Sequence, residues 1–131
     1  MSKANPKELK YTKEHEWVKV DKNTAVVGIT NHAQELLTDL VFVELPKVGQ
    51  KVKQTKAFAV VESVKSVSDV YAPVSGEVVD VNKTLSDNPG LINKDAFGKG
   101  WIAKIKMSDE KELSKLMDAG EYTEHCKKEH H

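Results

Sequence analysis

The sequence predicts an all-β domain, a small sandwich or barrel to which a short internal helix and a C-terminal helix are added. Short β-branched and apolar runs recur at close spacing and are separated by Gly, Pro, Asn and Asp, which is typical of antiparallel strands joined by turns. Helical periodicity is confined to two short segments. The length of 131 residues fits a single domain, which we place at residues 1–131.

The first predicted element is a β-hairpin. Residues 16–20 alternate in polarity, residues 24–29 are mostly β-branched and apolar, and the polar residues between them can form the turn. The period then changes to that of a helix, which Thr30 or Asn31 can cap and which should end by Asp39. A hairpin followed by one short helix therefore opens the fold.

The middle of the chain predicts a series of short strands. Turn residues interrupt the apolar runs every few positions, and a loop with Asn88, Pro89 and Gly90 separates the last two strands. The predicted strands cover residues 40–45, 50–52, 58–63, 66–71, 76–81 and 101–107.

The C-terminal helix is predicted from a capping signal and an apolar stripe. Ser108 is a favourable N-cap residue, and Leu113, Leu116 and Met117 recur at helical spacing. Gly120 can end the helix in the left-handed conformation. We expect this helix to pack on the sheet.

Both ends of the chain are predicted to be polar segments outside the main fold, and we assign no role to the C-terminal one. Residues 1–10 indicate a loose N-terminal lead-in, and residues 121–131 indicate a polar tail in which Cys126 is an incidental thiol. His15 and His32 have no second His or Cys at ligand spacing in the sequence. We therefore expect no metal site.

The composition argues against several classes of partner. Acidic and basic residues balance at 20 each, and every basic residue is lysine, so the arginine that favours bidentate contacts to phosphate and bases is missing. No apolar run approaches the about 20 residues that cross a bilayer. We expect no nucleic-acid partner and no membrane insertion. One cysteine and an N-terminus unlike a signal peptide indicate a reducing compartment, which we take to be the cytoplasm.

The segment 57–80 is the most informative one. Two β-rich runs meet at residues 63–66, which puts Val64 and Lys65 at the centre of a tight turn. Neither glycine nor asparagine is present there to favour a primed turn, so a type I turn is expected. Such a turn presents one lysine amine to solvent on a stiff base.

Motifs along nearly the whole chain follow one another in a particular order. They are YTKEHEW at 11–17, GIT at 28–30 with Ala33 and Gln34, VFVELP at 41–46, ESVKS at 62–66, SDVYAPVSGE at 68–77, PGLIN at 89–93 and GW at 100–101. Each motif alone is a weak signal. As an ordered set they resemble the glycine cleavage H-protein family.

The resemblance implies a lipoyl/biotinyl-type barrel-sandwich hybrid in which Lys65 carries lipoate as a covalent amide. It also implies that the lipoylating enzyme reads Glu62, Gly49 and Gly76. The sequence departs from the family pattern at Thr38, where a glycine is more usual. That departure does not touch the modification site.

The function implied by the resemblance is that of a shuttle. The lipoyl arm would carry the aminomethyl group from glycine decarboxylase, a pyridoxal-phosphate enzyme, to the aminomethyltransferase, and dihydrolipoamide dehydrogenase would restore the lipoyl disulfide. The carrier itself would catalyse nothing, and a shuttle with three partners is expected to be a monomer. By position and charge, Glu14, Glu16, Asp69 and Ile29 would dock the loaded arm and shield it from water.

Several other functions share part of this pattern. A turn lysine taken alone is usually only a solvated residue. Biotin carriers usually have methionine on both sides of the lysine, where this chain has Val64 and Ser66, and lipoyl domains of 2-oxoacid dehydrogenases usually lack the 11–17 motif. A further alternative function, in which the chain donates lipoyl or octanoyl groups to those dehydrogenases, is left open by the sequence. An enzyme is not favoured, because the sequence shows no nucleophile–base pair, phosphate-binding loop or metal-ligand spacing.

Overall fold

The computed structural model describes residues 5–129, in which two antiparallel sheets and several short helices are present. Along the chain the elements are β1 (Lys10–Tyr11), β2 (Glu16–Asp21), β3 (Thr24–Ile29), α1 (Asn31–Leu37), β4 (Leu40–Glu44), β5 (Lys51–Val52), β6 (Ala57–Ser63), β7 (Val67–Tyr71), β8 (Gly76–Val81), α2 (Thr84–Asp87), α3 (Leu91–Lys94), β9 (Ala103–Met107) and α4 (Ala119–Glu129). The larger sheet has the strand order β1-β2-β3-β9-β8-β5, and the smaller has the order β4-β6-β7.

One apolar core joins the two sheets. Val18, Val27 and Ile105 from the larger sheet and Val61 and Val70 from the smaller sheet are each at most 1% exposed and belong to one buried cluster. Burying a side chain of this size stabilises the fold by about 1.5–3 kcal/mol. The predicted all-β barrel-sandwich class, with an internal and a C-terminal helix, is confirmed.

The opening hairpin and the internal helix form where the sequence predicts them. Asp21 pairs with Thr24 at the end of the β2–β3 ladder. Thr30 caps α1, since its hydroxyl oxygen accepts a 3.2 Å hydrogen bond from the backbone N–H of Ala33. The helix ends at Leu37.

Thr38 occupies a backbone conformation that suits glycine better than threonine. Its φ is +67° and its ψ is −152°, directly after α1. A β-branched side chain at positive φ is strained by about 1–3 kcal/mol. This conformation accounts for the glycine that the family pattern usually has here.

We expect Thr38→Gly to stabilise the protein by about 1 kcal/mol, because relief of this strain exceeds the entropy that glycine loses on folding. Urea unfolding of the two proteins would measure the difference. Thr24→Gly, at a position in β3 with ordinary strand geometry, is the matched control and should destabilise. If both glycines destabilised equally, the strain argument would be wrong.

The C-terminal helix lies further along the chain than predicted. Residues Glu110–Lys115 form only a 3₁₀ helix, which the side chain of Asp109 caps. The chain then straightens, because Met117 and Tyr11 exchange two backbone hydrogen bonds of 2.8 Å. Gly120 lies inside α4 rather than ending a helix, and residues 121–129, predicted as a polar tail, are helical.

The start and the buried face of α4 explain why it forms here. The backbone N–H of Glu121 donates to Asp118 Oδ1 at 2.8 Å, and that of Asp118 donates to Glu121 Oε1 at 3.0 Å, which is the reciprocal pattern of a capping box. Tyr122 is fully buried and stacks on Tyr11 with ring centroids 4.6 Å apart. Trp17 completes this second cluster beneath the helix.

The connection between β8 and β9 is more ordered than the predicted loop. The short helices α2 and α3 flank Asn88, Pro89 and Gly90, and β9 begins at Ala103 rather than at residue 101. Asn82 holds this connection, since its side-chain amide donates 2.8 Å hydrogen bonds to two backbone carbonyls there. Among the described residues, no helix is both long and apolar enough to span a membrane.

Candidate functional site

Lys65 lies at the tip of the hairpin that joins β6 to β7. Glu62 and Val67 are the last paired residues of the two strands. Val64 and Lys65 are both exposed, Val64 to 72%. Within residues 5–129, positive φ values occur only at other positions, which excludes the primed turn types at this tip. The side chain of Lys65 therefore stands in solvent on the outermost turn of the smaller sheet.

Ser63 stabilises this turn from below. Its hydroxyl oxygen accepts hydrogen bonds from the backbone N–H groups of Lys65 at 3.3 Å and Ser66 at 3.1 Å, and its own N–H donates to the carbonyl of Ser66 at 2.8 Å. The N–H of Val64 donates to the carbonyl of Asp39 at 3.3 Å, which ties the tip to the start of β4. Lys65 thus has a mobile side chain on a braced backbone.

The three residues implied as recognition marks lie in different places. Glu62 is half-buried on β6, three positions before Lys65. Gly49 precedes β5 and Gly76 is the first residue of β8, both at the larger sheet, with φ of +94° and +156°. A Cβ on Gly76 would come within 2.0 Å of the carbonyl oxygen of Lys106, whereas one on Gly49 would meet open space. Of these three residues, only Glu62 belongs to the hairpin that presents Lys65.

A cavity of about 370 Å³ opens beside the end of β7 that is remote from Lys65. Its volume is in the range of small-molecule sites. Tyr71 is four positions beyond Val67, the first residue of β7, which corresponds to about 13 Å along the strand. The lining residues are Tyr11, Thr12, Lys13, Glu14, Glu16, Gln54, Thr55, Tyr71, Ala72, Pro73, Lys115, Leu116 and Met117.

The four residues predicted to dock the arm do not form one surface. Glu14 and Glu16 line the cavity, with Glu14 exposed and Glu16 buried. Ile29 pairs with Glu16 in the β2–β3 ladder and is only 4% exposed, inside the main core. Asp69 is exposed on β7 and borders a separate depression near Glu44. Glu14 is therefore the exposed carboxylate of the cavity.

Sequence reasoning missed part of the cavity wall. Gln54 donates hydrogen bonds to the carbonyls of Pro73 at 3.0 Å and Glu112 at 3.3 Å, which holds three segments together at this wall. Leu116 arrives from the segment after the 3₁₀ helix. No local motif marks these residues, because segments distant in the sequence form the wall together.

Glu16 is a buried carboxyl group at the base of this cavity. It is 1% exposed, it accepts a hydrogen bond from the hydroxyl of Thr12, and its Oε2 accepts one of 3.0 Å from the backbone N–H of Tyr71. Burial raises the pKa of Glu16 from 4.5 to about 7, against the opposing effect of these hydrogen bonds, and the neighbouring Glu14 raises it further. Glu16 therefore joins β2 to β7 and titrates near neutrality.

We expect this carboxyl group to lower stability as the pH rises. Because its folded pKa lies above its unfolded value, Glu16 binds its proton more tightly in the folded protein, and stability falls from about pH 4.5 through about pH 7. A pKa shift of this size corresponds to a change of about 3 kcal/mol in the free energy of unfolding. Glu16→Gln should match the unsubstituted protein near about pH 4 and be more stable by up to about 3 kcal/mol near pH 8.

Urea unfolding of both proteins across this range would measure the effect, since their difference removes the contribution of every other titrating group. A constant stability difference at all pH values would contradict the account of Glu16.

Comparison with known proteins gives one consistent result. The family model described as "Glycine cleavage H-protein" matches residues 9–129. The glycine cleavage system H protein of Halothermothrix orenii is 55% identical over 117 residues, which are 89% of this chain and 91% of that protein. That of Escherichia coli is 58% identical over 118 residues, 89% of this chain and 92% of that protein.

A solved structure agrees with the sequence comparisons. The crystal structure of a glycine cleavage system H protein from Mycobacterium marinum superposes with a TM-score of 0.84 at 38% identity, and the match covers 92% of this chain and 97% of that one. The strand order, the exposed Lys65 hairpin and the matches at more than half identity lead to the same assignment. The chain belongs to the glycine cleavage H-protein family.

Proposed function

We infer that this chain is the non-catalytic lipoyl carrier of glycine cleavage and that Lys65 is its attachment point. It would carry the aminomethyl group from glycine decarboxylase to the aminomethyltransferase. The observation that carries this proposal is the position of Lys65, exposed at a turn that the Ser63 hydroxyl braces. Family membership supplies the identity of the group.

The residues at the hairpin fit a lysine that is acylated. An exposed ammonium can lose a proton and form an amide without removing a buried charge, and the neighbouring Val64 and Val67 are 72% and 65% exposed beside an alkyl arm. Lipoate supplies a strained cyclic disulfide that can accept a one-carbon fragment and be reoxidised. The chain contributes a fixed base for the arm and an accessible tip for several enzymes.

We propose that Glu62 is the recognition residue of the lipoylating enzyme and that Gly49 and Gly76 support recognition through the backbone. Glu62 lies on β6, the strand that leads into the Lys65 turn. The two glycines preserve the β5–β8 edge, because each has a positive φ. A Glu62→Gln variant that was lipoylated at an unchanged rate would contradict the role of Glu62.

We propose further that the cavity beside Tyr71 shelters the loaded arm. Glu14 offers the ammonium of the arm an exposed carboxylate, Glu16 forms the floor, Ile29 supports Glu16 from the adjacent strand, and Asp69 attracts the arm along β7. Glu14→Gln should shorten the lifetime of the loaded carrier, measured as ammonia release without the aminomethyltransferase. Lys13→Gln, on the same cavity wall, is the control. An unchanged lifetime in Glu14→Gln would remove Glu14 from the proposal.

The remaining partners follow from the carrier role. We propose that dihydrolipoamide dehydrogenase and a lipoylating enzyme also act on Lys65, and that residues 1–131 work as one domain and as a monomer. The single cysteine fits the cytoplasm, which we propose as its location. The Arabidopsis thaliana relative, 53% identical over 123 residues, is named as mitochondrial, so this location needs its own test by fractionation.

Reconstitution tests the proposed function. Lipoylated chain mixed with glycine decarboxylase should give glycine-dependent release of carbon dioxide that saturates with carrier concentration. The unlipoylated chain should give only the background rate. Equal rates with the two forms would contradict the proposal.

A further inference from the structure

The structure gathers five potential metal ligands that the sequence separates. His15 precedes β2, His32 lies on α1, and His125, Cys126 and Glu129 lie on the last turns of α4. From the sequence alone we expected His15 and His32 to be isolated and Cys126 to be an incidental thiol in a polar tail. That interpretation was wrong, because α4 folds back and brings its end over β2 and α1.

Three imidazoles converge on one carboxylate in this cluster. Glu129 Oε1 lies 2.8 Å from His15 Nε2 and 3.8 Å from His32 Nε2, and Glu129 Oε2 lies 3.0 Å from His125 Nε2. The ring centroids of His15 and His32 are 4.8 Å apart.

The thiol of Cys126 lies close to the imidazoles of His15 and His32. Ligand atoms of His15, His32 and Cys126 all lie within 4.8 Å of one another, and so do those of His15, His125 and Glu129. Zinc–nitrogen bonds of about 2.0 Å and zinc–sulfur bonds of about 2.3 Å at tetrahedral angles bring ligands to about 3.5 Å. A contraction of about 1 Å would therefore bring the ligand atoms of His15, His32 and Cys126 to bonding distance of one ion. Glu129, which already lies 2.8 Å from His15 Nε2, would move with the end of α4 to become the fourth ligand.

The chemistry of these groups suits a borderline-soft metal ion. Imidazole and thiolate together are typical of zinc sites. The hydroxyl of Tyr122 holds His15 Nδ1 at 2.7 Å, and the carbonyl of Lys13 lies 3.0 Å from His125 Nε2, so two ring orientations are already fixed.

We propose that His15, His32, Cys126 and Glu129 bind one Zn²⁺ ion and that His125 supports Glu129 from outside. Binding forms a zinc–thiolate bond, and the thiol proton goes to solvent. The ion joins the end of α4 to the turn before β2 and to α1. This site is independent of the modification of Lys65.

Cobalt substitution tests the proposal on the full chain. Titration with Co²⁺ should give one bound ion per chain, the near-ultraviolet charge-transfer absorption of a cobalt–thiolate bond, and loss of that absorption when Zn²⁺ is added. Cys126→Ser should abolish the absorption with little effect on folding, because serine is close to cysteine in size and Cys126 is only partly buried at the edge of the second cluster. His32→Ala should weaken binding more than about 10-fold, since even loss of a group outside the first ligands typically costs 10- to 100-fold.

The terminal histidines provide the essential control. His130 and His131 lie outside the described residues, and the His130→Ala/His131→Ala double variant should keep both the affinity and the thiolate absorption. Absence of binding, binding without thiolate absorption, or loss of binding in the double variant would each overturn the site. Because the unsubstituted protein already gives the spectrum, the test does not depend on the folding of His32→Ala.

Discussion

The Lys65→Arg variant should support no glycine-dependent decarboxylation above the rate of the unlipoylated chain. Arginine keeps the positive charge and nearly the length of lysine, but its guanidinium group stays protonated and offers no amine for acylation. Lys65 is exposed and contributes only its backbone to the turn, so the substitution should change stability by no more than about 0.5 kcal/mol. The loss of function would then belong to the missing attachment point.

The matched control for this experiment is Lys56→Arg. Lys56 is also exposed and also lies at an end of the β6–β7 pair, but it precedes β6 rather than following it. The Lys56→Arg variant should support glycine-dependent decarboxylation at the same rate as the unsubstituted protein in the reconstituted assay. Residual carriage by Lys65→Arg, or an equal loss in Lys56→Arg, would show that another lysine bears the group.

Gly76→Ala should destabilise the protein by about 3 kcal/mol or more. The added Cβ would lie 2.0 Å from the carbonyl oxygen of Lys106, a backbone atom in the paired strand that cannot rotate away. Overpacking of this kind costs about 1–3 kcal/mol, and the positive φ of +156° adds strain. The β8–β9 ladder would have to separate locally. Urea unfolding should show a lower midpoint.

The Gly49→Ala variant separates the steric clash from the backbone strain as causes of the lost stability. A Cβ there would meet no atom within 4 Å, so only the φ of +94° opposes alanine, at a cost of about 1–2 kcal/mol. A loss in Gly49→Ala as large as that in Gly76→Ala would contradict the steric argument. A glycine that the fold itself requires needs no enzyme to read it, so lipoylation must be compared in variants that still fold.

The sequence predicts most of the sheet architecture because local patterns determine it. The β2–β3 hairpin, the cap of α1 by Thr30 and the turn at Lys65 depend on residues a few positions apart, and their signals survive without tertiary contacts. Lys65 was found because its turn interrupts two strong strand patterns. The family resemblance then supplied the group that we propose it carries.

The rest depends on contacts between distant segments. The 3₁₀ helix ends where Met117 pairs with Tyr11, more than a hundred positions away, so the apolar stripe at Leu113 and Leu116 was misread as an α-helix. The box formed by Asp118 and Glu121 was a local signal for α4 that could have been found.

The cavity and the histidine–cysteine cluster also depend on contacts between segments that are distant in the sequence. The cavity wall combines residues around the start of β2, the turn before β6, the end of β7 and the segment 115–117. The buried state of Glu16 and the convergence of His15, His32 and Cys126 appear only once α4 and β7 are in place. The spacing of these residues along the sequence does not indicate that they lie close together in the folded protein.

The most direct test of the carrier function is peptide mass spectrometry of the chain produced with lipoate and a lipoylating enzyme. Intact mass gives the number of groups attached, and fragmentation gives their position. The account predicts one lipoyl increment, on Lys65 and on no other of the 20 lysines. An unmodified Lys65, an increment on a different lysine or a biotin increment at this position would contradict it.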